Sequence, residues 1–231
     1  MMYGFIYEGT YKYEDFDKVG DTYTLKRNVP YFSSESNTQP GMPKYADLNG
    51  DGIIDDNDRT MIGNGMPKHT GGFTNNFEYK GFDLSIFFQW SYGNDVLNAN
   101  RLFFENSNKT RDLNQYASYA DRWTPENPES NIPRATDSGS NKVFSTRIIE
   151  DGSFLRLKTV SLGYTLPKQL TKKWKIDNAR VFVAGQNLWT CTGYSGYDPE
   201  VSIREGALTP GLDFSAYPRA YSISFGINLG F

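Results

Sequence analysis

The residues of this chain whose types and spacing could bind a ligand lie in one segment, Asp47 to Asp58. Their spacing matches the calcium loop of EF-hand type, in which oxygen atoms at loop positions one, three, five, seven, nine and twelve surround one ion. The predicted ligands are Asp47, Asn49, Asp51, the carbonyl of Ile53, Asp55 and Asp58. A glycine at position six allows the sharp turn that this loop needs. The sequence therefore predicts a bound Ca²⁺.

This loop departs from the standard pattern at its last position. Asp58 stands where Glu is usual, and its shorter arm is expected to reach the ion through one oxygen. No flanking helices are evident, so we expect the ion to stabilise a loop rather than to act as a sensor. The alternative is a solvated acidic turn rich in Asn-Gly and Asp-Gly.

Composition excludes several other kinds of chemistry. Among the 231 residues, Cys191 is the only cysteine and His69 the only histidine, which excludes a disulfide framework, a thiolate or histidine zinc cluster, and a Ser-His-Asp triad with a spare base. The net charge of -3 and the lack of a basic stretch argue against a nucleic-acid partner. Acidic pairs such as Glu126 and Glu129 have no inferable pocket. We therefore expect no enzyme activity.

The elements that must position the acidic loop are strands. Residues 220–231 alternate without error, with large apolar side chains on one face and small or polar ones on the other. Two architectures give this pattern: a soluble sheet with one face on a core, or a barrel wall with lipid outside and water inside. The all-large apolar face and the terminal aromatic Phe231 favour an antiparallel transmembrane β-barrel.

Five further strands and one helix are predicted from periodicity. The strands are Tyr3–Tyr11, Gly71–Tyr79, Phe82–Tyr92, Ser153–Leu166 and Ala179–Thr190, and residues 109–123 form an amphipathic helix. In Ser153–Leu166 the pattern places Arg156 and Lys158 on the apolar face, where a barrel tolerates them only near the interface. His69 is expected in a loop, and Cys191 at a buried or interfacial position. Five aromatic residues at strand ends are expected to form an interfacial girdle: Trp90, Tyr92, Trp189, Tyr194 and Tyr197.

Long and short connections alternate along the chain. Residues 12–70, 93–151 and 191–216 are long, whereas 80–81 and 167–177 are short. Outer-membrane barrels have long extracellular loops and short periplasmic turns, which matches this order. About six strands are too few to close a barrel, which needs about eight, and the N-terminus carries no secretory signal. We therefore expect residues 1–231 to be the C-terminal portion of a larger barrel.

Several sequence blocks resemble SusC/RagA-type TonB-dependent outer-membrane transporters of Bacteroidetes. The blocks are Tyr45 to Gly52 with Asp58-Arg59-Thr60 and Ile62-Gly63-Asn64, Phe82-Asp83-Leu84-Ser85, Tyr92-Gly93-Asn94-Asp95, Arg122-Trp123-Thr124, Phe154 to Lys158, Leu162-Gly163-Tyr164, Gly185-Gln186-Asn187-Leu188, and Tyr197-Asp198-Pro199-Glu200. The resemblance implies a 22-stranded barrel, location in the outer membrane, and import of oligosaccharides or peptides powered through TonB. It also implies a SusD-like surface lipoprotein as a lid. The plug and TonB-contacting segment would lie outside this chain.

A runner-up hypothesis is a soluble extracellular β module that is stabilised by calcium and binds glycans. It predicts that Phe225 and Ile227 are buried in a core. A third hypothesis, a fragment of a secreted glycan hydrolase, requires convergent carboxylates that the sequence does not show. Neither accounts for the alternation of long and short connections.

Overall fold

The computed structural model describes residues 1–106, 114–136, 143–200, 202–203 and 209–231. Its strands are β1 (Met2–Gly4), β2 (Tyr7–Thr10), β3 (Phe16–Val19), β4 (Thr22–Leu25), β5 (Tyr31–Phe32), β6 (Pro43–Tyr45), β7 (Ile53–Ile54), β8 (Thr60–Gly63), β9 (His69–Tyr79), β10 (Phe82–Tyr92), β11 (Asp95–Asn98), β12 (Ile149–Asp151), β13 (Phe154–Thr165), β14 (Asn178–Thr192), β15 (Leu212–Asp213) and β16 (Ser222–Gly230). Two short helices are α1 (Asn100–Phe104) and α2 (Lys168–Thr171). Among the described residues no helix is long and apolar enough to cross a membrane.

The chain divides into two compact units. The sheet unit contains Met66–Asp95, Asp151–Val201 and Tyr217–Phe231, and the loop unit contains Met1–Gly65, Val96–Glu150 and Ser202–Ala216. The sheet unit is one five-stranded antiparallel sheet in the order β16-β14-β13-β10-β9. The all-β antiparallel fold predicted from the sequence is therefore confirmed.

The hairpin of β9 and β10 sets the register of the sheet. Lys80 and Gly81 connect the strands with φ values of 46° and 87°. Positive φ at both central residues is the geometry of a type I′ turn, whose twist matches that of the flanking strands. The strands pair without a shift from Phe82 opposite Tyr79 to Tyr92 opposite His69. The predicted bounds of β10 are thus confirmed, and β9 begins two residues before its predicted start.

Adjacent rows across the sheet show that its two faces differ in chemistry. One row consists of large apolar side chains, in strand order Phe77, Leu84, Leu162, Val183 and Phe225. The next row, on the other face, consists of small polar side chains and one alanine: Asn76, Ser85, Ser161, Ala184 and Ser224. Phe225 is 81% exposed and Phe77 is 58% exposed. The apolar face is therefore not covered by any part of this chain that the structure describes.

A β-bulge at Lys158 changes which residues of β13 share a face. Phe87 pairs with Thr159 and the next residue, Phe88, pairs with Leu157, so Lys158 is one extra residue in β13. A shift of one residue moves every following side chain to the opposite face. The prediction that Arg156 lies on the apolar face is therefore wrong. Leu155 and Leu157 occupy that face, and Arg156 lies on the polar face opposite Gln89.

The loop unit is built around two small aromatic clusters. Phe5, Tyr45 and Ile54 form one buried cluster, which Tyr7, Phe32 and Val143 pack against. Tyr11, Phe16 and Leu25 form the other. The long segment 12–70 thus contains six short strands, β3 to β8, rather than irregular structure throughout.

Two predicted elements differ in the loop unit. Residues 3–11 are not one sheet strand but β1 and β2, which pair with β8 and β6. The strand is divided at Phe5, which is buried and forms an isolated bridge with Ser145. The sheet therefore contains five strands instead of six. Part of the predicted helix, residues 109–113, lies outside the described residues. Its described remainder contains a 3₁₀ helix, Ala117–Asp121, and the extended backbone of Tyr116 prevents a helix from continuing into it from the preceding residues.

Candidate functional site

The acidic loop of residues 47–58 is closed by hydrogen bonds to its own backbone. The two carboxylate oxygens of Asp47 accept from the N–H groups of Gly50 and Gly52, at 2.7 and 2.8 Å. Gly52 has a φ of 85°, as the predicted sharp turn requires. The side chains of Asn49, Asp51 and Asp55 each accept from the amide two residues further along, which is the geometry of successive Asx turns.

Asp58, at the last predicted ligand position, binds three backbone amides. Its Oδ1 accepts from the N–H groups of Leu48 (2.8 Å) and Asn49 (3.3 Å), and its Oδ2 accepts from that of Asp55 (2.8 Å). The residue is fully buried. Burial alone would raise the pKa of Asp58, but the three N–H groups favour the charged form and hold the pKa below its ordinary value. Asp58 therefore fastens the two ends of the loop to each other.

The predicted calcium ligands fit an ion only in part. The loop is wound in the expected order, and Ile53, whose carbonyl is the predicted ligand, follows Gly52 as the first residue of β7. However, the described residues contain no group of three or more His, Cys, Asp or Glu side chains arranged to hold a metal ion. Asp58 is directed at amides rather than at the other carboxylates. Calcium binding by these residues stays a prediction.

A charged network lies at the end of the sheet unit where β13 begins and β14 ends. Arg156 is only 3% exposed, and its guanidinium donates to Asp198 (2.5 Å), Glu200 (2.9 Å) and the hydroxyl of Thr190 (3.0 Å). Glu200 also pairs with Lys158 at 3.2 Å and with Arg219 at 3.1 Å. We call these residues, namely Arg156, Lys158, Thr190, Asp198, Glu200 and Arg219, the anchor network.

Asp198 is the centre of the anchor network. Besides Arg156, it accepts hydrogen bonds from the backbone N–H groups of Glu200 (2.9 Å) and Arg219 (3.0 Å). Burial would raise its pKa, but the hydrogen bonds from Arg156 and the two amides keep the pKa of Asp198 below its ordinary value. One carboxylate thus joins strand β13 to two separate parts of the connection between β14 and β16.

A second ion pair crosses β13 on the polar face. Arg180 of β14 binds both carboxylate oxygens of Asp83 of β10, at 2.9 and 2.5 Å. The pair passes directly over Gly163 of β13. A Cβ atom at that position would collide with the Arg180 guanidinium and with the Asp83 carboxylate. Glycine at position 163 is therefore what allows the two strands on either side to be joined.

The aromatic residues at strand ends differ partly from the prediction. His69 is not a loop residue but the first residue of β9, where its ring stacks on Tyr92 and its Nδ1 accepts from the indole of Trp90 at 3.1 Å. Trp189 and Tyr197 are exposed, as a girdle requires. Tyr194 is buried instead, because its ring lies against Gly196. Cys191 is exposed and pairs with Leu155 of the apolar face.

Sequence reasoning did not find the anchor network or the Asp83–Arg180 pair. The ion pairs join positions far apart in the chain, and charged residues carry no periodic signal that identifies their partner. One signal was nevertheless available for Arg156. In β13 the apolar residues change parity, from Leu155 and Leu157 to Val160, Leu162 and Tyr164, which indicates a bulge between them.

Comparison with other proteins gives one consistent result. No protein-family model matches the chain. TonB-dependent receptor P3 of Formosa agariphila is 35% identical over 99% of this chain, which corresponds to 22% of that receptor. TonB-dependent receptor SusC of Bacteroides thetaiotaomicron is 28% identical over 85% of the chain and 18% of its own length. The chain thus spans about a fifth of the relatives it matches.

Solved structures agree with the sequence comparison. The RagAB peptide transporter aligns with 99% of this chain at a TM-score of 0.74 and 26% identity, over 22% of its own chain. The same importer in its closed-closed state aligns at a TM-score of 0.72 and 27% identity. The chain is therefore similar, over nearly its whole length, to part of the TonB-dependent receptors of the SusC/RagA type, as its sequence blocks predict.

Proposed function

We propose that this chain forms the C-terminal part of the barrel wall, with the adjoining extracellular loops, of an outer-membrane TonB-dependent transporter. The observation that carries the proposal is the five-stranded sheet with one exposed, predominantly apolar face and one polar face. A water-filled barrel in lipid needs both faces on the same strands. A soluble sheet would bury a face on which Phe225 is 81% exposed.

The transported substrate is proposed to be an oligosaccharide or a peptide. The resemblance to a peptide transporter supports the peptide class, and the SusC/RagA resemblance of the sequence blocks implies either class. The polar face would line the passage, and the anchor network would fix the loop above it. We propose that the chain acts in transport and catalyses no reaction.

A SusD-like lipoprotein is the proposed partner on the outer surface, and TonB the proposed partner on the inner side. The SusC/RagA resemblance supports both proposals. TonB would contact a part of the protein outside this chain. Residues 1–231 would supply wall and loops, so the isolated chain is not expected to transport.

The first experiment is a blot of outer-membrane fractions, using an antibody raised against the connection between β14 and β16, in which Tyr197 is 85% exposed. We expect a membrane-embedded band several times larger than the 26.2 kDa of this chain. A soluble or secreted band of about the chain's own mass would contradict the proposal. The calcium-stabilised glycan-binding module would then be the better account.

We also propose that the loop of residues 47–58 binds Ca²⁺. The ligand spacing and the positive φ of Gly52 support this proposal. The three hydrogen bonds that the Asp58 carboxylate accepts from backbone amides count against its role as a ligand. Terbium luminescence sensitised by nearby aromatic residues would detect binding, with Asp51→Asn as the ligand variant and the exposed Asp56→Asn as its control. Equal terbium signals from these two variants and the unsubstituted protein would contradict a site at this loop.

A further inference from the structure

The short connection between β13 and β14 is a folded and strongly basic cap. α2 (Lys168–Thr171) continues into the 3₁₀ turn Lys172–Trp174, and Lys175 ends it with a φ of 58°. Thr171 is buried within the cap, and its carbonyl accepts from the N–H of Ile176 at 3.2 Å. The cap therefore presents its side chains from a defined backbone.

The exposed side chains of the cap are mainly cations. Residues 168–177 contain four lysines and one aspartate, which gives a net charge of +3. The lysines Lys168, Lys172, Lys173 and Lys175 are all exposed, and none forms an ion pair within the described part of the chain. Trp174 is 66% exposed and Leu170 is 50% exposed between them.

The cap adjoins the end of the apolar face. In that part of the sheet Phe82 lies opposite Tyr164, which lies opposite Val181, and Val181 in turn lies opposite Ile227. The N–H of Asp177 donates to the carbonyl of Gly230 at 2.9 Å, which holds the cap against the end of β16. The other short turn, at Lys80, is at the same end of the sheet and adds a further exposed lysine.

We propose that this basic cap binds the phosphate headgroups of anionic phospholipids in the membrane leaflet beside the short turns. Tryptophan and lysine next to an apolar transmembrane surface are the residues that occupy the membrane interface, with the indole at headgroup level and the amines reaching the phosphates. Each lysine near an anionic surface strengthens binding by about fivefold. The proposal rests on the proposed function, because it requires the apolar face to lie in lipid.

The test uses the full-length transporter in vesicles that contain a fixed fraction of brominated lipid, either brominated phosphatidylglycerol or brominated phosphatidylcholine. Bromine quenches the emission of tryptophans near it. We expect stronger quenching by the anionic lipid, and we expect the difference to disappear in Trp174→Phe. It should also disappear when all four cap lysines are changed to Gln, and persist when all four are changed to Arg. A Lys18→Gln and Lys26→Gln variant of the loop unit, which is expected to behave like the parent, controls for loss of charge alone.

Equal quenching by the two lipids would overturn the proposal. So would an anionic-lipid difference that inorganic phosphate removes at matched ionic strength, because the site would then recognise free phosphate rather than a lipid. Failure of the proposed function would look different: the protein would not float with vesicles of either lipid. Flotation with both, without a lipid preference, would overturn only the present inference.

Discussion

Replacing Asp198 by Asn should release the loop that the anchor network holds. The substitution keeps the shape of the side chain but removes its charge, so Arg156 stays buried with Glu200 as its remaining acidic partner. Asp198 accepts one hydrogen bond from the guanidinium and two from backbone amides. Hydrogen bonds to a charged group each contribute about 1.5–3 kcal/mol. Because Asn retains one acceptor oxygen, we expect a net loss of about 2–4 kcal/mol in the free energy of local opening.

Hydrogen exchange of the full-length protein in detergent measures this loss directly. A loss of about 2–4 kcal/mol corresponds to roughly 30- to 900-fold faster exchange. The increase should be confined to peptides that cover residues 193–200 and 217–221, because Asp198 binds the amides of Glu200 and Arg219. Asp177→Asn, at an exposed carboxylate in the other connection of the sheet unit, is the matched control and should leave these rates unchanged.

A double substitution separates the charge pair from general damage. Removing one partner of a buried ion pair leaves an uncompensated charge, whereas removing both does not. We therefore expect Arg156→Met combined with Asp198→Asn to lose less than the sum of the two single variants. Exchange in Asp198→Asn within about threefold of the parent, which is about 0.7 kcal/mol, would refute the assignment of Asp198 as the anchor of this loop.

Three further outcomes follow from the same geometry. The folded-state pKa of Asp198 lies below its ordinary value of 3.8, so its contribution to stability is complete above that value and is lost as pH falls through the lowered pKa. Hydrogen exchange of residues 193–200, corrected for intrinsic rates, should therefore become faster below about pH 4. Gly163→Val should separate Arg180 from Asp83 and reduce the fraction of protein that runs as the proposed folded barrel in unheated gels, whereas Gly193→Val, where a Cβ meets no atom within 4 Å, should not. Asp58→Asn should speed exchange of the Leu48, Asn49 and Asp55 amides by about 30-fold, from a loss of about 2 kcal/mol, whereas the exposed Asp56→Asn should not; equal rates in the two variants would contradict the role of Asp58.

The strands of the sheet unit were predictable because each is at least nine residues long and contains a stretch of alternating side chains. β10 has the predicted bounds of Phe82 and Tyr92, and the apolar row through Leu84 was evident in the sequence. The loop unit gave no comparable signal. Its strands contain two to four residues, too few for alternation to be distinguished from chance. Its aromatic clusters join residues far apart in the chain, such as Phe5 and Ile54, and periodicity carries no information about such contacts.

In the acidic loop, too, the contacts between nearby residues could be predicted from the sequence and those between distant residues could not. The turns at Gly50 and Gly52 depend on Asp47, three and five positions away, so their geometry could be predicted from the sequence. The hydrogen bonds that Asp58 accepts from backbone amides join positions ten, nine and three residues apart in a closed loop. Ligand spacing gives the order of the oxygen atoms along the chain, but it does not determine whether a carboxylate faces an ion or a backbone amide.

The bulge at Lys158 connects the two roles of β13. Without the extra residue, Arg156 would share a face with Leu162 and Tyr164, the face that is proposed to lie in lipid. With it, Leu155 and Leu157 continue the apolar face, and Arg156 turns to the polar face to meet Asp198. On β14, Asn187 and Leu188 both lie opposite Lys158, and Asn187 has a φ of 52°. A single inserted residue therefore lets one strand serve as an apolar wall along its length and as the attachment point of a charged loop at its end.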